Sequence, residues 1–335
     1  MSRSTKKFIL KSRPSGEVSS ENFELVEERL PDVETGHLLI KTHYLSVDPY
    51  MRNRMNNVES YVSPFEVGSA LSGDGIGEVI ATESLNFEIG DIVVGTLPWQ
   101  QFALIDEKKV EKIQLEETIS PTAYLSVLGL TGLTAYFGLL DIGEPKTGET
   151  VVISAAAGAV GSVAGQIAKI KECKTIGIAG GEEKCHYLIK NLQFNEAIDY
   201  KSTPNIRKPL RKLCPERVDV YFDNVGGDLS DAVFYMLNNH ARIVLCGQIA
   251  LYNLNRLSIG PRMYPQFLVR RVRMQGFIVY DYAAQFSEAR NQLKQWVLDK
   301  KIKYDENIIE GFEKLPEAFL GLFKGENIGK QLVKV

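Results

Sequence analysis

The sequence is poor in the residues from which metal sites and disulfide frameworks are built. Its four cysteines, Cys173, Cys185, Cys214 and Cys246, are scattered, with no Cys-x-x-Cys pair. Its four histidines, His37, His43, His186 and His240, form neither an H-E-x-x-H pattern nor a Cys/His cluster. A zinc site therefore has no support, and the thiols fit a reducing cytoplasm better than an oxidised scaffold. A basic excess is also missing. The 39 Lys and Arg face 42 Asp and Glu, a net charge of -3, which argues against a nucleic-acid partner. Residues 1–11 hold only the short apolar run Phe8-Ile9-Leu10, so neither a signal peptide nor a membrane span is expected there. No internal repeat or low-complexity linker interrupts the chain. What remains is an ordinary composition, 44% hydrophobic and 24% charged over 335 residues, enough for about two domains with real cores.

The most informative stretch is Val151-Val152-Ile153-Ser154-Ala155-Ala156-Ala157-Gly158-Ala159-Val160-Gly161. An apolar β-branched run, a turn of small residues and a small-residue helix start make a βα unit of the dinucleotide-binding kind. The turn reads Ala156-x-Gly158-x-x-Gly161, with alanine at the first glycine position. Gly158 would let backbone approach a pyrophosphate, Gly161 would let helix and strand pack closely, and the helix N-terminus would face the phosphates. An ordinary strand-to-helix turn could read the same way, so the surroundings decide.

Residues 8 to about 110 show short strands broken by turn residues, with examples at Phe23–Glu27, His37–Thr42, Gly75–Ile80 and Asp91–Gly95. That pattern predicts an antiparallel, barrel-like β domain. Thr122–Leu140 reads as a bridge of helical runs interrupted at Gly129 and Gly132. Beyond Gly148 six strands, Val151–Ser154, Thr175–Ala179, Ala197–Asp199, Val218–Phe222, Arg242–Cys246 and Val272–Phe277, alternate with helices. Such a series predicts a six-stranded parallel Rossmann sheet. A helix follows at Ala283–Lys300, and Lys330–Val335 can form a strand that pairs back onto the first domain.

The end of the second Rossmann strand selects the nucleotide. Asp or Glu there would bind a ribose 2′-hydroxyl, but the position falls on Ala179, followed by Gly180 and Gly181. Small residues leave room for a 2′-phosphate, and Lys184 can supply the charge, although a solvated helix lysine reads the same way. NADP(H) is the expected cofactor.

Several stretches together resemble the medium-chain dehydrogenase/reductase superfamily, in its zinc-independent branch of NADPH-dependent alkenal and enone reductases. They are Leu45–Arg52, Gly95–Trp99, Gly132–Leu140, Ala155–Gly161, Asp199–Lys201, Tyr221–Gly227, Cys246–Asn253, Gln275–Phe277 and Asn327–Lys330. The resemblance implies an α/β fold with a GroES-like β-barrel catalytic domain over 1–127, completed by 300–335, and a Rossmann NADP-binding domain over 128–299. It places the cofactor against Ala157, Gly158, Ala159, Val160, Gly161, Gly180, Cys246 and Gly247, with Lys184 and Tyr200 at the 2′-phosphate. Asn224 and Asn327 would hold the nicotinamide end, Phe277, Ile278 and Val279 its carboxamide, and Tyr252 would sit beside the ribose and the substrate oxygen. Tyr50 would line the substrate pocket. A homodimer through the Rossmann domain is implied as well. The sequence departs from the pattern at Thr131 and along Asn56–Phe65, next to the expected pocket.

Zinc alcohol dehydrogenases of the same superfamily carry a metal-binding cysteine near the Leu45–Arg52 region and a Gly-His-Glu segment. This chain has no cysteine before Cys173 and no Gly-His-Glu. The expected activity is NADP-dependent reduction of the C=C bond of α,β-unsaturated ketones or aldehydes, an oxidoreductase acting on CH–CH donors. Charge develops on the carbonyl oxygen during such a reduction, and a tyrosine or ribose hydroxyl can meet it. Tyr252 and Tyr50 are the expected catalytic residues, and Tyr61 joins them as a candidate for the substrate pocket. Each tyrosine also has a plainer reading: Tyr50 could pack in a turn, and Tyr61 could lie on the surface. Asp223 is expected to shape a turn rather than to act as an acid. Quinone reduction on the same scaffold and a non-catalytic NADPH sensor remain the alternatives.

Overall fold

A computed structural model describes residues 4–114, 116–256 and 258–335. The chain divides into two compact units. One comprises Met1–Leu125, Glu306–Asn327 and Gln331–Val335, and the other Ser126–Asp305 and Ile328–Lys330.

The first unit is built from strands. In chain order these are β1 (Ser4–Leu10), β2 (Phe23–Arg29), β3 (His37–Ser46), β4 (Ser72–Thr82), β5 (Ile92–Pro98), β6 (Phe102–Asp106) and β7 (Val110–Lys112), with the short helix α1 (Met51–Arg54) after β3. β3 pairs antiparallel with β4 along its length and with β6 at His37–Lys41, and β4 continues to β5 and β7. The apolar alternation that marks these strands drives one face inward. Trp99 lies at the centre of the resulting core, fully buried, its ring stacked on Phe23 at 6.0 Å and edge-on to Phe319 at 6.1 Å.

The second unit opens with α2 (Leu130–Phe137), followed by β8 (Thr150–Ser154), α3 (Ala159–Ile170), β9 (Lys174–Ala179), α4 (Glu182–Lys190) and β10 (Glu196–Asp199). It continues through α5 (Arg207–Leu213), β11 (Val218–Asp223), α6 (Gly227–Phe234), β12 (Leu237–Leu245), α7 (Tyr264–Arg270), β13 (Arg273–Gly276) and α8 (Phe286–Leu298). The last segment gives β14 (Glu306–Glu310), α9 (Leu315–Lys324) and β15 (Lys330–Lys334). β15 pairs antiparallel with β3, as the sequence pattern anticipates.

The six strands β8 to β13 form one parallel sheet in the order β10-β9-β8-β11-β12-β13. This is the Rossmann order, and the direction of winding reverses between β8 and β11. β8 is buried at every residue, as a central parallel strand must be. The α/β class, with a Rossmann sheet and a separate GroES-like sheet domain, is thus the observed architecture.

Three local expectations change. Gly132 does not interrupt the bridge helix; it lies within α2, where an added Cβ would come 1.8 Å from the Val127 carbonyl oxygen, so close packing explains it. The strand expected to start at Arg242 begins earlier, at Leu237, shortly after α6 ends at Phe234. Cys246 lies one residue beyond β12 instead of ending it.

Candidate active site

The turn after β8 is shaped by its alanines as much as by its glycines. Ala155, not Ala156, takes the left-handed conformation, at φ 47°, and its carbonyl accepts the Gly158 N–H at 3.0 Å. That carbonyl faces Gly161 so closely that an added Cβ there would come within 2.5 Å of it. Gly158 itself has only the Ala155 oxygen near such a Cβ, at 3.3 Å, and so presents an open backbone at the start of α3. Ala157, Ala159 and Val160 complete this turn and the first turn of the helix. A phosphate placed here would meet N–H groups and no side-chain bulk.

The ends of β9 and β10 carry positive charge over small residues. Ala179 ends β9, Gly180 follows, and Gly181 caps α4 at φ 102°. The Tyr200 ring and the Lys201 stem both come within 2.9 Å of where a Gly180 Cβ would sit. Lys184, one turn into α4, is half-buried, and burial followed by the field of Lys201 holds its amine below the ordinary lysine range. Burial, then the charge of Asp199, pushes the Tyr200 phenol up. The Asp199 carboxylate is turned into its own loop, accepting the Gly181 N–H at 2.7 Å and the Lys201 N–H at 2.9 Å. Lys184, Tyr200 and Gly180 are therefore brought together, and Lys201 joins them. The Lys201 stem beside Gly180 and the Lys184 amine, close enough to feel its charge, suit a dianionic phosphate.

Beyond β11 and β12 the backbone is organised by Asp223, which is 1% exposed. Its carboxylate accepts from the side chains of Ser154, Tyr221, Ser230 and Gln248 and from the N–H groups of Val225 and Gly226. The expected turn-shaping role is the one seen. Asn224 follows, its side-chain NH2 donating to the Ser154 carbonyl at 2.8 Å and its N–H to Ser154 Oγ at 2.8 Å. The N–H groups of Cys246 and Gly247 both donate to the Asp223 carbonyl, at 2.9 and 3.0 Å. Burial, then the Asp223 charge, pushes the Cys246 thiol up to about 12, so it stays protonated at neutral pH. The Tyr252 hydroxyl accepts the Gln248 N–H at 3.1 Å and lies 3.5 Å from where a Gly247 Cβ would be. Phe277, Ile278 and Val279 follow β13, all half-buried, and Gly138 makes room for the Phe277 ring.

All these groups lie at or just beyond the carboxyl ends of the parallel strands, where ligands bind in open α/β sheets. Sequence reasoning missed two participants. Lys201 follows Tyr200 and reads as a surface lysine until the turn after β10 is drawn. Gly329, at φ 69°, donates its N–H to the Ala157 carbonyl at 2.8 Å, and an added Cβ would strike the Asp305 oxygen at 1.9 Å. The segment Asn327–Lys330 signals its importance in the sequence, but its contact with the nucleotide turn does not follow from it.

Tyr50, Tyr61 and Asn327 belong to the first unit. Tyr50 is half-buried against that unit's core, just before α1. Arg52 beside it is buried, donating to Asn56 Oδ1 and to the Gly16 carbonyl, each at 2.8 Å. Arg13 donates to the carbonyls of Met55 and Phe65, each at 3.0 Å, and the Arg54 guanidinium covers the Phe65 ring at 3.9 Å. Both ends of the variable stretch Asn56–Phe65 are thereby fixed, while Tyr61 within it is 56% exposed. Asn327 is half-buried, shortly after α9.

Residues 6–113 match the family described as "N-terminal domain of oxidoreductase", and residues 159–295 the family described as "Zinc-binding dehydrogenase". The chain is 40% identical to the NADPH-dependent curcumin reductase of Escherichia coli, across 98% of its own length and 96% of that protein's. It is also 40% identical to prostaglandin reductase 1 of Bos taurus, across 98% of both chains. The crystal structure of CurA in complex with NADPH from Vibrio vulnificus matches with a TM-score of 0.94 at 41% identity, covering 98% of this chain and 99% of that one. The residues do not fit the zinc ion that the second family description mentions. Among the described residues no group of three or more His, Cys, Asp or Glu could hold a metal ion, and the four cysteines sit on separate segments of the second unit.

Proposed function

Because this chain belongs to the medium-chain dehydrogenase/reductase superfamily, in the branch that holds the curcumin and prostaglandin reductases, we propose that it reduces the C=C bond of α,β-unsaturated ketones or aldehydes with NADPH. The observation that carries the cofactor choice is the charge of Lys184 and Lys201 beside the end of β9, where Ala179 stands in place of the acid of an NAD-selective strand. Bound NADPH supplies the hydride. The chain's own residues hold and orient it: the Ala157–Gly161 turn at the pyrophosphate, Gly180, Lys184, Tyr200 and Lys201 at the 2′-phosphate, and Asn224, Cys246 and Gly247 toward the nicotinamide. Phe277, Ile278, Val279 and Asn327 complete that set.

Reduction at the β-carbon of a conjugated carbonyl places negative charge on the carbonyl oxygen. Hydroxyl donors aimed at that oxygen lower the barrier. In this reading Tyr252, oriented by the Gln248 N–H, supports that oxygen, and Tyr50 and Tyr61 are substrate-pocket residues. Removing the Tyr252 hydroxyl should cost on the order of 10²-fold or less in rate, because a ribose hydroxyl can substitute.

Two coarser expectations join this reading. The unpaired cysteines support a reducing compartment, the cytoplasm. A homodimer through the Rossmann sheet is supported by edge strand β13, exposed at every residue, and by apolar side chains exposed nearby in the chain, among them Tyr264, Leu268, Val269 and Met274.

The test is NADPH oxidation with a panel of conjugated enals, enones and quinones, with product analysis. Saturated carbonyl products support the reading. Tight NADPH binding without turnover of any conjugated carbonyl would instead make the protein a sensor, and turnover of quinones alone would make it a quinone reductase.

A further inference from the structure

The second unit holds a concentration of arginines at the opposite edge of its sheet. A cavity of about 340 Å³ opens where β11 and β12 begin, lined by Arg207, Arg211 and Arg217 together with Pro215, Tyr235 and Met236. Arg217 immediately precedes β11 and Met236 immediately precedes β12, so the cavity faces the amino ends of the strands. Asp223, which anchors the turns at the carboxyl edge, closes the same six-residue strand, roughly 20 Å away at about 3.3 Å per residue.

No acidic residue lines the hollow. Arg217 spends its guanidinium on two carbonyls, donating to Leu237 and Tyr235, each at 2.7 Å. Burial and the like charge of Arg270 hold Arg217 below the usual arginine range. Arg270 in turn has a buried Nε without a hydrogen-bond partner. Arg207 lies 3.7 Å above the Tyr235 ring, and the exposed Arg211 side chain makes no hydrogen bond or ion pair among the described residues. The Asp231 carboxylate feels the charge of Arg207 but does not line the cavity. Gathering like charges around one hollow, with Arg217 partly buried among them, costs free energy unless an anion completes it. In a chain of net charge -3, general basicity does not explain the cluster.

We infer that this hollow is a second ligand site, which takes a small phosphate-bearing anion. Arg207 and Arg211 present their N–H forks to the hollow from one helix, with Arg217 adding charge behind them, and a phosphate group has an oxygen pair for each fork. The volume exceeds one phosphate group. Pro215, Met236 and the Tyr235 ring edge give an organic remainder an apolar wall. Inorganic phosphate and a phosphate ester share the anchoring chemistry and differ in their use of that wall.

The test uses the full chain saturated with NADPH, so that neither probe can occupy the coenzyme turn. Inorganic phosphate and adenosine 5′-monophosphate are titrated separately by calorimetry at low ionic strength. The wild-type protein should bind at least one of them saturably in the millimolar range or tighter. Arg211→Gln should weaken that binding by about tenfold or more, the loss expected for a charge-assisted contact. Arg207→Gln with Arg211→Gln should abolish it, while NADPH affinity and thermal midpoint stay at wild-type values. Tighter binding of the monophosphate identifies an ester as the ligand, and equal binding identifies free phosphate; either supports the site. Absence of saturable binding of both probes, or binding unchanged in the double variant, overturns it.

Discussion

Ser154 and Asp223 join the carboxyl ends of the two adjacent strands, β8 and β11, between which the winding of the sheet reverses. Ser154 Oγ donates to Asp223 Oδ1 at 3.2 Å and accepts the Asn224 N–H at 2.8 Å. The crevice beyond such a reversal is where a dinucleotide lies in this architecture. Here its floor is a buried carboxylate with donors from β8, β11, α6 and the loop after β12.

Removing the carboxylate and removing the serine hydroxyl should therefore differ in cost. Asp223→Ala strands the Val225 and Gly226 N–H groups and three side-chain hydroxyls, and should lower stability by about 3 kcal/mol or more. Ser154→Ala strands mainly the Asn224 N–H and should cost about 1 kcal/mol. Urea unfolding of both variants reads the difference, and equal losses would show that the carboxylate does not organise the turns.

The two glycines of the nucleotide turn should separate folding from binding. An alanine at position 161 would press its Cβ to 2.5 Å from the Ala155 oxygen, so Gly161→Ala should lose roughly 1–3 kcal/mol of stability and NADPH affinity together. At position 158 the nearest atom is 3.3 Å away, so Gly158→Ala should fold nearly as well as wild type yet bind NADPH more weakly. Thermal unfolding alongside fluorescence titration with NADPH checks this. A Gly158→Ala protein that binds normally would move the pyrophosphate elsewhere.

Much of the second unit is legible in the sequence because its signals are local. Apolar β-branched runs such as Val151–Ile153 have to be strands, and the missing acid after Ala179 is visible without coordinates. What escapes is what depends on folded proximity. Lys201 reaches Gly180 only because β10 lies beside β9, and Gly329 meets Ala157 across more than half the chain. Arg207 and Arg211 are joined with Arg217 and Tyr235 around one hollow only by the fold. The left-handed residue at Ala155 is invisible for another reason: glycine is the residue that announces such a conformation, and the chain uses alanine.

The proposed homodimer makes a prediction about the sheet edge. Met274 on β13, with Leu268 and Val269 on α7, exposes apolar surface that water disfavours. Met274→Asp should shift the protein from dimer to monomer in light scattering with its unfolding midpoint little changed. A wild-type protein that scatters as a monomer at micromolar concentration sinks the dimer at once.

The lysine pair gives a pH signature specific to the phosphorylated nucleotide. Burial and Lys201 hold the Lys184 amine below its ordinary value in the unliganded protein. The folded chain therefore binds fewer protons at this site than the unfolded chain in the window between the two values, and its stability rises with pH there. A 2′-phosphate beside Lys184 acts in the opposite direction, favouring the charged amine and raising its pKa again. NADPH binding must then take up protons, so its affinity falls as pH climbs through that alkaline window, while NADH, without the phosphate, shows a flatter profile. Lys184→Arg should keep the preference for NADPH and flatten its profile, because guanidinium stays charged throughout. Lys184→Ala and Lys201→Ala should each reduce the preference, by about tenfold for one charge-assisted contact. Parallel pH profiles for NADPH and NADH in the wild-type protein would show that Lys184 does not gain a proton when the 2′-phosphate binds, and an undiminished preference in both alanine variants would remove the two lysines from nucleotide selection.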